Sequence, residues 1–544
     1  MNTKRKMFGL ILSVAGLLMP IFFDIQGLDF VGEISLGIFV MAACLWIFEP
    51  IPIWATSLLV IFSQILLLSK EGPVYLFSNP DYIALEESVS QGEDMESLFA
   101  VPSEALEDEH LLLYDEEKRT VSSLEVDIIE DNGSIWISSE ELAPGALIVI
   151  EKDHWKVTHE PIGFQNFYNT LAHKIIVLFL GGFFLAAGAV KFGLDKNLTR
   201  LMLRLFGTKS SFVVLGLLVA TGVLSAFMSN TATTAMMITV VLPIISQLDT
   251  GDKLKMAVAL AIPCGANIGG IATPIGTPPN AVVLSALSKQ GFTIPFGDWV
   301  VLAFPIVAIM MFITWRLLLI FFPPKSKRLE LKLEGGWNKS PKAIACYAIF
   351  GLTVLLWVTD KLHGVSSYMV AFLPIALMPL FGIIEKSDIK KFSWDVLWLM
   401  SGGIALGISM KLGPAEWLIS LVDWSAFGAF GIIMVLGLVA YLVANVVSHT
   451  VAATILMPIA ISLGTSGGTS TDFNYILACV TVGIMVSFSM LLPISTPPNA
   501  IAMSTGMIES KHLMRIGAVV GLIGYLLASL FGYFLWEGML PKPF

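Results

Sequence analysis

Two short motifs, each present twice at one offset, constrain this chain more than any other feature. Ser229-Asn230-Thr231 is matched by Ser448-His449-Thr450, and Thr277-Pro278-Pro279-Asn280 by Thr496-Pro497-Pro498-Asn499, both at an offset of 219 residues. All four motifs lie inside apolar runs. Proline removes a backbone donor and clashes with the preceding turn, so a helix must break at each proline pair. Broken backbone at membrane depth is tolerated only where protein or a water-filled cavity satisfies its polar groups.

Composition places those motifs in a bilayer. Hydrophobic residues make up 56% of the 544 and charged residues 14%, against about 25% charged in ordinary soluble domains. Apolar runs of about 20 residues recur along the chain, which reads as an all-α polytopic membrane protein. The opening Met1–Lys6 and apolar Phe8–Ile21 have the look of a signal peptide. No small-residue cleavage site follows, so this segment is read as the first span. Cys44, Cys264, Cys346 and Cys479 lie in apolar segments and are read as packing residues. A duplicated helix-breaking polar element in such a chain is the pattern of a secondary transporter with inverted repeats.

Charge isolates an insert. Residues 81–160 hold 22 Asp/Glu and 4 Lys/Arg, whereas the rest of the chain is net positive. The insert, bounded at 79–165, alternates like strands over Ser123–Ile129, Ser134–Ser138, Ala146–Glu151 and His154–His159, with a turn at Asp131-Asn132-Gly133. A small β-rich soluble domain is expected, with disorder across Glu86–Glu109 as the alternative. Basic clusters at Lys191–Lys209, Lys325–Lys342 and Lys386–Lys391, together with the basic N-terminus, mark the cytoplasmic side. They agree with one another only if the insert is outside and if 211–247 and 426–465 are re-entrant hairpins entering from opposite sides. About eleven spans plus two hairpins then fit, with the C-terminus outside. The divisions are 1–78, the insert, a first repeat at 166–290, scaffold helices at 291–392, a second repeat at 393–510 and a last span at 511–544.

Each hairpin puts a polar tripeptide at its tip. Helix N-termini carry partial positive charge and unpaired N–H groups, which attract anions. Ser, Asn and Thr add hydroxyl and amide groups that bind a carboxylate or complete a cation shell. Residues 211–247, 256–288, 426–471 and 474–508 contain no Asp, Glu, Lys or Arg, and His449 is their one titratable side chain of intermediate pKa. Such a site suits a small anion, with Na⁺ held beside it by carbonyl, hydroxyl and amide oxygens. No Ser/His/Asp set, paired carboxylates or two-histidine metal site occurs there, so an enzyme is not expected. Taken singly, a Ser-Asn-Thr tripeptide or a proline kink carries nothing; the shared offset does. Gly181-Gly182 and Gly402-Gly403 repeat at an offset of 221 and read as tight helix packing.

On these residues the chain resembles the divalent anion/sodium symporter family of dicarboxylate, citrate and sulfate transporters. Glu49-Pro50-Ile51-Pro52-Ile53 is similar to an early membrane segment of that family. The resemblance covers residues 1–78 and about 165–544 and leaves out the acidic insert. It implies a homodimer in the plasma membrane, as in a bacterial inner membrane. Each protomer would pair a scaffold domain with a transport domain that moves elevator-fashion. By position, Asn230, Thr231, Thr277 and Pro278 would line one half of the substrate site, and His449, Thr450, Thr496 and Pro497 the other. The Ser225 backbone, Ser229, Asn230 and Gly276 would hold a first Na⁺; Ala444, Val447, His449 and Ser495 would hold a second.

His449 departs from that pattern, where the family has Asn. Neutral imidazole is a poor Na⁺ ligand, and imidazolium would repel Na⁺ and attract an anion; an ordinary pKa near 6.5 makes both states accessible. Three readings follow: a symporter using fewer Na⁺ ions, coupling to protons through His449, or a Na⁺-independent anion exchanger. Succinate, malate, fumarate, citrate and sulfate all suit the site. A receptor built around the external insert is a second function class, and an arsenite or cation carrier is disfavoured by the lack of acidic groups. The bilayer and a small anion are the expected partners, not nucleic acid.

Overall fold

The computed structural model describes residues 3–70, 72, the strand residues between 82 and 149, 162–246, 248–249, 251–329, 336–465, 473–493 and 495–540. The chain divides into two compact units, residues 1–170 with 405–418, and residues 171–404 with 419–544.

In the first unit, α1 (Thr3–Phe22) packs on α2 (Phe30–Phe48), which is followed by α3 (Ile53–Leu68). Asp29 caps α2 by accepting the Gly32 N–H at 2.8 Å. Close approach of α1 and α2 depends on Gly16, where an added Cβ would lie 2.6 Å from Val40 Cγ1. Among the described residues the insert contributes eight short strands. β1 (Tyr82–Ala84), β3 (Leu106–Glu107), β4 (His110–Asp115), β5 (Thr120–Glu125) and β8 (Leu147–Val149) share one antiparallel sheet. β2 (Phe99–Val101), β6 (Asp127–Asp131) and β7 (Ser134–Ser138) form another. The run expected as one strand over Ser123–Ile129 is divided between β5 and β6, which belong to different sheets. The expected strand at 154–159 and most of 86–109 fall outside the described residues.

The second unit holds both repeats. α4 (Lys174–Phe192) leads through Gly193, at φ 71°, into the basic amphipathic helix α5 (Leu194–Phe206). The first repeat continues as α6 (Ser210–Ser225), α7 (Asn230–Ser246), α8 (Leu254–Gly270) and α9 (Pro278–Lys289), and the long α10 (Phe296–Phe321) follows it. α11 (Pro341–Val358) and α12 (Phe372–Leu380) come next. The second repeat then runs through α13 (Trp394–Ser409, whose last residues count with the first unit), α14 (Ala429–Val446), α15 (His449–Thr465), α16 (Tyr475–Ser487) and α17 (Pro497–Ser504), and α18 (Ser510–Phe534) follows it. The chain breaks at 226–229 between α6 and α7 and at 447–448 between α14 and α15, and the helices of each pair pack on one another. The first residues of α7 and α15, and of α9 and α17, are again 219 apart.

Among the described residues, seven helical segments are long and apolar enough to cross a bilayer, or eight if one bent pair counts as a span. The break expected at Pro278-Pro279 separates α8 from α9, of 17 and 12 residues. The core of this unit is apolar and tightly crossed: at Gly269 an added Cβ would sit 2.2 Å from Gly222 Cα.

Candidate functional site

The chain's capping chemistry sets where the motif helices begin. Ser229 Oγ accepts the Ala232 N–H at 3.2 Å, and Ser448 Oγ accepts the Val451 N–H at 3.3 Å. Each tripeptide serine therefore caps the helix that its second residue opens. Thr277 and Thr496 stand before the proline pairs, whose missing N–H and fixed φ suit a helix start. Their backbones agree to within about two degrees, φ −144°, ψ 142° and φ −143°, ψ 144°.

The carbonyls freed by the two breaks are taken up by asparagines. Asn280 Nδ2 donates to the carbonyls of Gly270 (3.2 Å), Ile271 (3.3 Å) and Thr273 (2.8 Å). Asn499 Nδ2 donates to the carbonyls of Met490 (3.2 Å) and Leu492 (3.1 Å), the equivalents of Ile271 and Thr273, and to Ser495 Oγ at 3.4 Å. Both asparagines are fully buried. The last residue of each Thr-Pro-Pro-Asn motif is thus the clamp that makes the break affordable inside apolar surroundings.

At the first tip, three oxygens converge on the Asn230 amide. Its NH₂ donates to Ser225 Oγ at 2.5 Å, to the Gly276 carbonyl at 3.0 Å and to the Ala266 carbonyl at 3.3 Å. Three oxygens around one point are satisfied either by an amide NH₂ or by a small hard cation. The approach depends on Gly270, where an added Cβ would lie 2.6 Å from the Asn230 amide. Ser225 enters through its hydroxyl, where the sequence reading invoked its backbone.

The second tip is built otherwise. His449 Nε2 lies 2.7 Å from the Ser489 carbonyl, so that nitrogen is the N–H donor. Ser489 is the equivalent of Gly270, whose carbonyl in the first half is held by Asn280. The hydroxyl of Ser225 has no equivalent, because the residue 219 positions later is Ala444. Ser495 Oγ, at the position of Gly276, donates to the Leu492 carbonyl at 2.7 Å. Among the second-half residues named from sequence, Ala444, Val447, His449, Thr450, Ser495 and Thr496 are buried and Pro497 is exposed. In the first half, Thr277 is buried, Asn230 and Pro278 are half-buried and Thr231 is exposed.

The two halves lock reciprocally. α9 packs on α15 and α17 packs on α7, so each proline-led helix lies against the tripeptide-led helix of the other half. Asn267 of α8 reaches across, donating to Thr496 Oγ1 at 3.2 Å and Asn499 Oδ1 at 3.3 Å. Sequence reasoning missed Ala266, Asn267, Asn280 and Asn499. The two clamp asparagines were within reach of one question, namely where the carbonyls of a proline-broken helix find donors. Asn267 has no such signal, since the residue 219 positions later is Val486.

A family model described as the sodium:sulfate symporter transmembrane region matches residues 157–540. A sodium-dependent dicarboxylate transporter, SdcS, of Staphylococcus saprophyticus is 31% identical over 408 residues, spanning 67% of this chain and 76% of its own. An uncharacterized transporter of Haemophilus influenzae is 30% identical over 390 residues (67% and 82%). A sodium-dependent high-affinity dicarboxylate transporter of Caenorhabditis elegans is 28% identical over 407 residues (63% and 71%).

Proposed function

The chain belongs to the sodium:sulfate symporter family, and from that premise we propose that it carries C4-dicarboxylates such as succinate, malate and fumarate together with Na⁺. It is a multi-pass membrane transporter and not an enzyme. The observation that carries Na⁺ coupling is the convergence of Ser225 Oγ and the Ala266 and Gly276 carbonyls on the Asn230 amide. Na⁺ there, as a transported substrate, takes the place the amide NH₂ otherwise fills. The dicarboxylate is held between the two tips by Asn230, Thr231 and Thr277 on one side and Thr450, Thr496 and the His449 region on the other. Helix N-termini at all four motifs supply N–H groups and positive potential for its two carboxylates. The second tip lacks the Ser225 hydroxyl, and His449 already supplies an N–H to the Ser489 carbonyl, so one Na⁺ site is assigned to the first half and none to the second.

The Asn267 cross-link and the reciprocal helix packing support both motif sets moving as one body. That favours alternating access by elevator motion, in a homodimer of the plasma membrane. The basic loops would face the cytoplasm, with the insert and C-terminus outside.

Labelled succinate uptake into proteoliposomes tests the reading. Uptake driven by an inward Na⁺ gradient into vesicles without internal succinate is expected. The buried His449 N–H favours a second reading, a Na⁺-independent exchanger, in which uptake needs internal succinate and ignores Na⁺. Transport of sulfate or citrate with no succinate uptake would overturn the substrate assignment alone.

A further inference from the structure

A cavity of about 310 Å³ opens beside the first tripeptide, lined by Lys191, Ser229, Ala232, Asp388, Lys391 and Ser393 among others. Its size lies at the lower end of the range for small-molecule sites. Ser229 and Ala232 are the cap and first turn of α7, so the cavity meets the binding machinery directly, next to the exposed Thr231. Opposite them, Lys191 in the last turn of α4 places its ammonium 2.7 Å from Asp388 Oδ2 and 3.6 Å from Glu385 Oε1. Asp388 Oδ2 also accepts the Glu385 N–H at 3.0 Å, which fixes it within the turn Lys386–Ile389. Partial burial pushes the Asp388 carboxyl up, but Lys191 and the Glu385 N–H outweigh that and hold it below its ordinary value. Asp388 is therefore a permanent anion. The lining carries two cations, Lys191 and Lys391, and one anion, Asp388, on which Lys391 also acts; Glu385, more exposed, is the second carboxylate facing Lys191.

We propose that this cavity is a docking station for a divalent carboxylate on its way to or from the Ser229-Asn230-Thr231 tip, with Lys191 as its cation and Asp388 as the anion that occupies Lys191 between passages. The inference rests on the transport reading above. A dicarboxylate offers two negative charges where Asp388 offers one, at the same ammonium. The Lys191 and Asp388 side chains are 31% and 16% exposed, and ion pairs reached by water are weak enough to exchange partners. Asp388 then acts as a competitor: it keeps Lys191 aimed into the cavity and sets how readily the substrate leaves it.

Competition gives the two partners opposite signs, which a structural ion pair does not. The experiment measures the half-saturation concentration for labelled succinate in inside-out and right-side-out membrane vesicles, under one Na⁺ gradient. For inside-out vesicles, Lys191→Gln is expected to raise it about fivefold, the factor that one water-exposed charge contact confers. Asp388→Asn is expected to lower it about threefold, and Lys391→Gln to raise it about twofold, by the same weak-contact scale. The charge swap Lys191→Asp with Asp388→Lys is expected to stay weak, because the cation has moved. Right-side-out values should hold. Loss of affinity in both single variants with recovery in the swap overturns the proposal, as does no change in any variant. If Lys191→Gln fails to accumulate, the signs for Asp388→Asn and Lys391→Gln decide it. A wild-type chain that carries no succinate overturns the transport reading itself; wild-type transport with same-sign variants overturns only the docking station.

Discussion

The two halves of the motif unit share a backbone and differ in chemistry. Helix starts coincide at the 219-residue offset, the Thr277 and Thr496 dihedrals nearly coincide, and Asn280 and Asn499 clamp equivalent carbonyls. Yet Ser225 becomes Ala444, Asn230 becomes His449 and Gly276 becomes Ser495. In the first half an amide NH₂ is shared among three oxygens; in the second an imidazole N–H has already taken the single carbonyl it faces. The difference teaches that the repeated framework exists to hold two broken helices open at membrane depth. What each opening binds is decided by two or three side chains that the framework does not dictate.

The sharpest way to break that comparison is to remove the first half's oxygens. Asn230→Ala and Ser225→Ala are each expected to reduce Na⁺-driven succinate uptake at least tenfold. A contact to a charged group is worth about 1.5–3 kcal/mol, and 1.4 kcal/mol is a factor of ten. Ala444→Ser, at the matching place in the second half, should cost little by itself. Equal losses from Ser225→Ala and Ala444→Ser would mean that the halves do the same job. A smaller effect comes from making the second half resemble the first. Ala444→Ser combined with His449→Asn restores the hydroxyl and amide together and frees the Ser489 carbonyl. Uptake is expected to become about threefold more sensitive to Na⁺, with a steeper Na⁺ dependence, as one further oxygen contact of the ordinary size would give. An unchanged Na⁺ response would sink the view that His449 displaces a cation.

What could be read from the sequence follows the same division. The framework was legible because its signals are local: a serine cap fixes the first residue of α7 and of α15, and a proline pair fixes the start of α9 and of α17. The cluster around Asn230 was legible by family resemblance in Ser225 and Gly276, whereas Ser229, named with them, caps α7. The contribution of the Ala266 carbonyl was not, because a carbonyl one helix away leaves no mark on sequence spacing. The loss of the Ser225 hydroxyl at Ala444 needed only a comparison of the two repeats at the offset already found. The Lys191–Asp388 pair, 197 residues apart, is a product of tertiary packing alone.

The clamps offer a comparison within the framework. Asn280→Ala and Asn499→Ala each leave buried carbonyls without donors, at a cost of about 1–3 kcal/mol. Asn499→Ala should lower the melting temperature of the detergent-solubilised protein more, because Asn267 also donates to Asn499 Oδ1 and would lose that bond. Equal shifts would show that the cross-link between halves carries no stability.

The smallest expected effect lies at a tether whose carboxylate has no counterpart in the sequence of the second half. Asp252 is buried before α8, and its carboxylate accepts the N–H groups of Leu254 (3.0 Å), Lys325 (3.0 Å) and Ser326 (2.9 Å) and the Ser326 hydroxyl (2.7 Å). It fastens the start of the proline-broken segment to the chain beyond α10. The residue 219 positions later is Thr471, which cannot carry that charge. Burial pushes the Asp252 carboxyl up, but the hydrogen bonds prevail and bring it down to about 2. A depressed carboxylate contributes stability above its unfolded value, near 3.9, and loses it as the pH falls through the folded value. Asp252→Asn keeps the shape and removes the charge, so it should lower the melting temperature by a few degrees at pH 7, on the scale of about 1 kcal/mol for one weakened charged acceptor. The gap between variant and wild type should narrow as the pH falls from 4 towards 2. A gap that stays constant across that window would mean that the tether works through shape and not through charge.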